Sequence, residues 1–217
     1  MSEIDQLTRA ATLALADTPA SAHAALDSIP WIGSAIDDDS AARRFDTWGR
    51  STAIDENTGT AVIPRALFDV LHDRAGIEAT WPVGNAGLLH CYGYLLSLEA
   101  TPYGLKRDRW VHGELARACG LHPDALLPWA GDSTLLARAT SAASAILRAP
   151  ASDAVQTIEG RDTRVALSST SGPAALVYLA APLPASAPLL ITLFPVADPS
   201  APLDEFRAAP NLRWNAV

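Results

Sequence analysis

No charged residue occurs between Val165 and Ala197, and this run constrains the fold more than any other feature of the chain. It is long enough to span a bilayer as a helix. Yet Pro173, Pro182, Pro184, Pro188 and Pro195 interrupt it, and Ser168-Ser169-Thr170-Ser171 adds hydroxyls. Each proline removes a helical hydrogen bond and clashes with the preceding turn, so a membrane helix is excluded. The last third predicts buried strands near 155–158, 163–169, 174–180 and 189–194, then a C-terminal Leu212-Arg213-Trp214-Asn215. With 49% apolar and 18% charged residues, the chain is too apolar to be disordered. Its 217 residues fit one globular domain, 1–217.

The first half reads as helical. Ile4, Leu7, Ala11 and Leu15 recur at helical spacing. Thr18-Pro19 then places an N-cap before a proline at the first helical position, opening a second helix to about Ser28 and completing a helical segment over 1–30. Pro30 to Arg44, with Asp37-Asp38-Asp39, reads as an exposed acidic loop; it lacks the glycine and glutamate spacing of an EF-hand. Asp55-Glu56-Asn57-Thr58-Gly59 predicts a hairpin turn, and Pro64 to Arg74 a helix stopped by Gly76. Leu88–Leu98 is apolar nearly throughout; Tyr92, Tyr94 and two glycines favour a strand, with a helix as the alternative. Asp108 opens a helix through Ala118, Pro123–Leu127 forms a helical turn, and Asp132-Ser133-Thr134 opens a helix to Arg148. Helices first and strands last predict an α+β fold: N-terminal and central helices packed on a mainly antiparallel sheet from the C-terminal third.

The net charge of −8 is uneven. Residues 1–80 carry −7, residues 81–150 carry +1 and residues 151–217 carry −2. An acidic surface repels a phosphate backbone, which argues against nucleic-acid binding. The helix–Gly–helix look of residues 114–127 does not change this, because its second helix lacks a cation to read base edges. Cationic charge concentrates in Lys106-Arg107-Asp108-Arg109, where Lys106 is the only lysine. Cys91 and Cys119 fit no metal or CxxC spacing and read as reduced thiols. The acidic N-terminus lacks a signal-peptide pattern, so a cytoplasmic location is expected.

Several catalytic signatures are missing from the sequence. There is no GxGxxG, no GxxxxGK[ST], no HExxH and no GxSxG. His112-Gly113-Glu114 matches half of a zinc-deaminase motif, but the Pro-Cys-x-x-Cys that would complete it is absent. Neither a metal nor a cofactor is expected. The Ser168–Gly172 run would serve equally as an oxyanion cradle or as a turn between strands.

The densest polar-aromatic cluster lies within 81–114. A strand over 88–98 would put His90, Tyr92 and Tyr94 on one face, an imidazole and two phenols suited to proton transfer. His90, Tyr92 and Tyr103 are the candidate catalytic residues. Asn85, Tyr94, Lys106, Arg107 and Arg109 are the candidate substrate-binding residues, with arginine offering bidentate contact to a carboxylate or phosphate. The same residues could instead be core and surface partners of their neighbours. Cys91 would face away from His90 and is not expected to act with it.

Trp-Pro-Val-Gly-Asn-Ala-Gly-Leu-Leu-His (81–90) and Thr-Pro-Tyr-Gly-Leu-Lys-Arg-Asp-Arg-Trp (101–110) resemble the actinobacterial aerial-mycelium-formation proteins of the AmfC family. That resemblance implies a cytoplasmic actinobacterial protein linked to morphological differentiation, and it brings no site residues. Two functions follow. One is a small-molecule enzyme or binder acting on an anionic substrate in a pocket lined by 81–114. The other is a non-enzymatic regulatory or interaction protein, with a homodimer formed through apolar surface of the last third.

Overall fold

The computed structural model describes residues 2–158, 160–182 and 187–209; the expected element at Leu212–Asn215 lies outside them. The architecture is α+β, as the order of helical and strand patterns predicts. Ser2 and Thr18 close capping boxes on α1 (Glu3–Ala14) and α2 (Pro19–Asp27), with Pro19 at the start of the second. α4 (Arg65–Ala75) ends on Gly76 at φ 66°, a backbone state that favours glycine. Thr134 caps α8 (Leu135–Arg148), whose Leu135, Leu136, Ala139, Ala143 and Ile146 are all buried.

Two expectations are corrected. Residues 30–44 are not a loop: α3 spans Pro30–Ala41, with Pro30 in its first turn. Ile32, Ile36 and Asp39 lie on its buried side, so the last residue of the acidic triplet faces inward while Asp37 pairs with Arg74 at 2.6 Å. Asp39 is held by three donors. Tyr92 Oη and Thr134 Oγ1 each donate at 2.5 Å, and Arg44 Nη1 donates at 3.0 Å. Residues 88–98 are not a strand either. α5 covers Ala86–Cys91 and a 3₁₀ turn covers Gly93–Leu96. Every residue from Ala86 to Ser97 is buried, so this segment shows neither a helical stripe nor a strand alternation. Gly87 fits a further constraint: a Cβ there would lie 2.7 Å from the Trp48 ring and 2.8 Å from Leu136.

The remaining short elements build one wall. β1 (Arg50–Thr52) pairs antiparallel with β2 (Val83–Asn85), and β3 (Ala100–Thr101) with β4 (Gly104–Leu105). The Asp55 turn is present, its backbone N–H meeting Thr60 O at 2.8 Å. The helix expected from Asp108 to Ala118 breaks at Gly113 (φ 68°) into α6 (Asp108–Val111) and α7 (Glu114–Ala118).

The last third forms an antiparallel meander of β5 (Ser152–Ile158), β6 (Arg161–Leu167), β7 (Ala174–Pro182) and β8 (Leu189–Val196). Ala166, Ala175 and Val177 join the helical core, while the alternating Val165, Leu167, Leu176 and Tyr178 face the other way. That second face is closed by α9 (Ser200–Ala208) through Leu203 and Phe206, the latter edge-on to Tyr178. Part of the apolar surface of the last third is thus covered within the chain. Ile191 is an extra residue on β8, where the pairing shifts from Tyr178↔Thr192 to Leu179↔Leu190. Among the described residues, no helix is long and apolar enough to cross a membrane.

His72 couples α4 to the start of α5. Its Nδ1–H donates to Phe68 O at 2.8 Å, and its Nε2 accepts the Asn85 N–H at 3.1 Å. Burial pushes its pKa below 6.5, outweighing the Phe68 carbonyl and the carboxylates of Asp69 and Asp73. Below about pH 6.5 the unfolded chain takes up a proton that the folded protein resists, so this contribution is complete above that pH and is lost as the pH falls. The urea midpoint of the parent should therefore drop more steeply between about pH 7 and pH 5 than that of His72→Gln. Separately, Asp39→Ala should reduce the unfolding free energy by about 3 kcal/mol in chemical denaturation, since it strands the buried Tyr92 hydroxyl and the half-buried Thr134 hydroxyl, and Asp39→Asn by less.

Candidate functional site

A cavity of about 1060 Å³ opens between β8, the start of α9, the Asp55 turn, the β3–β4 hairpin and the α6–α7 segment. Of the residues singled out from sequence, His90, Tyr94, Tyr103, Lys106 and Arg109 border it. Tyr92, Arg107 and Asn85 do not.

The division follows from helical geometry. Asn85 caps α5: its Oδ1 accepts Leu88 N–H at 3.0 Å, while Nδ2 donates to Phe45 O at 3.1 Å and Trp48 O at 3.3 Å. The chain leaving that cap is helical, so His90 and Tyr94, four residues apart, share a side as they would on a strand. Tyr92, two residues from His90, shares that side only on a strand. It points instead to Asp39, and burial together with this carboxylate pushes its phenol pKa up. Arg107 and Arg109 diverge for the same reason, about 200° apart around a helix. Arg107 is buried against α1, with Nη1 donating to Thr8 Oγ1 at 2.9 Å. Among the described residues it has no carboxylate in ion-pair range, and its Nε has no partner.

Within the cavity, His90 is held on three sides. Trp48 stacks on its ring at 6.5 Å between centroids, and Tyr94 tilts against it at 4.8 Å. Its Nδ1 lies 2.7 Å from Ala86 O, a carbonyl that can only accept, so the neutral ring carries its proton on Nδ1. Nε2 then accepts from Thr192 Oγ1 at 3.2 Å. Tyr94 is buried. Burial pushes its pKa up to about 12 against the opposing pull of Arg109 and Ser51, so it stays a neutral phenol.

Lys106 Nζ and Arg109 Cζ lie 5.4 and 5.5 Å from the Tyr94 ring centroid. Lys106 forms an ion pair with Asp55, whose carboxylate also accepts from Asn57 N at 2.9 Å and Thr58 N at 3.0 Å. Burial alone would raise the Asp55 pKa, but Lys106 and these two N–H groups hold it below the ordinary carboxylate value. Burial, reinforced by Arg109, lowers Lys106 despite its partner. Arg109 is anchored through Nε–H to Lys106 O at 3.1 Å. Tyr103 sits at the tip of the β3–β4 hairpin, 84% exposed, and marks the mouth rather than the floor.

Sequence reasoning missed Thr192, Asp55 and Ser51. Thr192 had one visible signal, being the sole polar residue in Leu-Leu-Ile-Thr-Leu-Phe (189–194). Acids also border the cavity at Glu56, Glu114, Asp198 and Glu205, and Leu176, Ile191 and Phe194 give it an apolar side. Both cysteines are free thiols, and burial raises both pKa values, Cys119 to about 12. Among the described residues, no cluster of three His, Cys, Asp or Glu side chains could hold a metal.

No family model, curated protein or solved structure matches the chain.

Because Arg107 is buried with no carboxylate in ion-pair range among the described residues, Arg107→Met should leave stability unchanged or raise it by about 1 kcal/mol in urea denaturation. A loss beyond about 2 kcal/mol would mean that the guanidinium has a stabilising partner.

Proposed function

We propose that the chain is a small-molecule enzyme or binder that takes an anionic ligand, a carboxylate or a phosphate, in the cavity between the sheet and the 81–114 segment. The observation that carries this reading is that an imidazole, a phenol, an ammonium and a guanidinium from that segment border a single hollow. Arg109 contributes a charge that persists with pH, as does Arg117 on the same lining, because guanidinium stays protonated at any working pH. Lys106, already engaged with Asp55, tunes the wall more than it holds a ligand. The acids around the lining oppose a polyanion, which favours a ligand with one anionic group and an apolar body against Leu176 and Phe194. The free thiols support a reducing, cytoplasmic setting, which is also what the resemblance to AmfC implies.

A thermal-shift screen against monocarboxylates and phosphate monoesters tests this. At a ligand concentration near 100 times Kd, a bound compound should raise Tm by about 5–10 °C. Arg109→Ala should abolish the rise, and Arg107→Met, altered outside the cavity, should keep it. If no compound shifts the parent, or if both variants respond alike, the anion-site reading fails.

A further inference from the structure

We infer that Thr192 and His90 form a hydroxyl–imidazole pair that accepts an acyl group from an ester bound in the cavity. This rests on the small-molecule reading above and gives it a reaction. Three observations point to the pair. Thr192 Oγ1 and His90 Nε2 are within hydrogen-bond reach at 3.2 Å, and both border the cavity. His90 is oriented by a third group, Ala86 O at 2.7 Å, which fixes the proton on Nδ1 and turns the Nε2 lone pair to the hydroxyl. The extra residue Ile191 resets the strand just before Thr192, and such bulges re-aim side chains beside functional sites.

The step balances within the pair. Thr192 Oγ attacks the ester carbonyl carbon as His90 Nε2 takes the hydroxyl proton, forming a tetrahedral oxyanion. That oxyanion forms in a cavity which Lys106 and Arg109 also border. Collapse breaks the bond to the leaving alkoxide, which receives the proton from Nε2. Water, losing its proton to Nε2, then attacks the acyl-threonine; the proton returns to Thr192 Oγ as the acid leaves.

The full chain incubated with 4-nitrophenyl acetate tests the proposal, with nitrophenolate release and peptide mass spectrometry as readouts. The expected result is saturable release with an acetyl adduct on Thr192, slowed at least about 100-fold in Thr192→Val and in His90→Gln and retained in Thr192→Ser. Equal rates for the parent and Thr192→Val, or acetylation confined to other residues, would overturn it. Thr192→Val keeps the volume of threonine, so it remains informative even if His90→Gln fails to fold. Ligand-induced Tm shifts without Thr192 acylation would remove this inference alone, whereas loss of both would remove the site itself.

Discussion

Asn85 is the point on which the arrangement turns. Its side chain caps α5 and grips the carbonyls of Phe45 and Trp48, while its backbone N–H reaches His72 on α4. Four hydrogen bonds at one residue thus lock the entry of α5 to Phe45 and Trp48 before β1 and to α4. With that entry fixed, the next turn of helix delivers His90 between Trp48 and Tyr94 and toward β8. Asn85 shapes the cavity without bordering it. A residue expected to touch a ligand is instead the reason that other residues can.

How much of this could be read from sequence depends on whether the controlling contacts are local. Capping boxes at Ser2 and Thr18, the Gly76 stop and the Thr134 cap are local, and those helices fall where the pattern places them. The meander is legible because hydroxyls, glycine and prolines punctuate an uncharged run. Residues 86–97 are buried on all sides, so periodicity has nothing to distinguish there, and a tertiary environment decides for helix. Asp37-Asp38-Asp39 misleads for the opposite reason: two of its carboxylates do stay at the surface, and the third finds two of its three donors on residues 92 and 134, far along the chain. The same geometry divides the candidate residues. His90 and Tyr94 keep a common side in either conformation, whereas Tyr92 needed a strand that does not form, and Arg107 turns to Thr8 on α1. Thr192 becomes a candidate only once β8 is seen against α5.

The buried charges in this molecule serve contrasting ends. Asp39 is saturated by two hydroxyls and a guanidinium and ties α3 to α8 and to the residues after α5. Arg107 is buried with a single hydroxyl for company, so its apolar stem, not its charge, accounts for its place against α1. The Lys106–Asp55 pair lies between these extremes: each partner loses hydration, each compensates the other, and the turn N–H groups supply the remainder.

That pair has a chemical consequence. The chain contains one lysine, and its side chain is only 17% exposed. Apart from five histidines, the other basic side chains are guanidinium groups, which are inert to mild acylation and reductive alkylation. Acylation or reductive alkylation followed at the peptide carrying Lys106 therefore probes the wall beside Tyr94, and its progress would read out how often that wall opens to water.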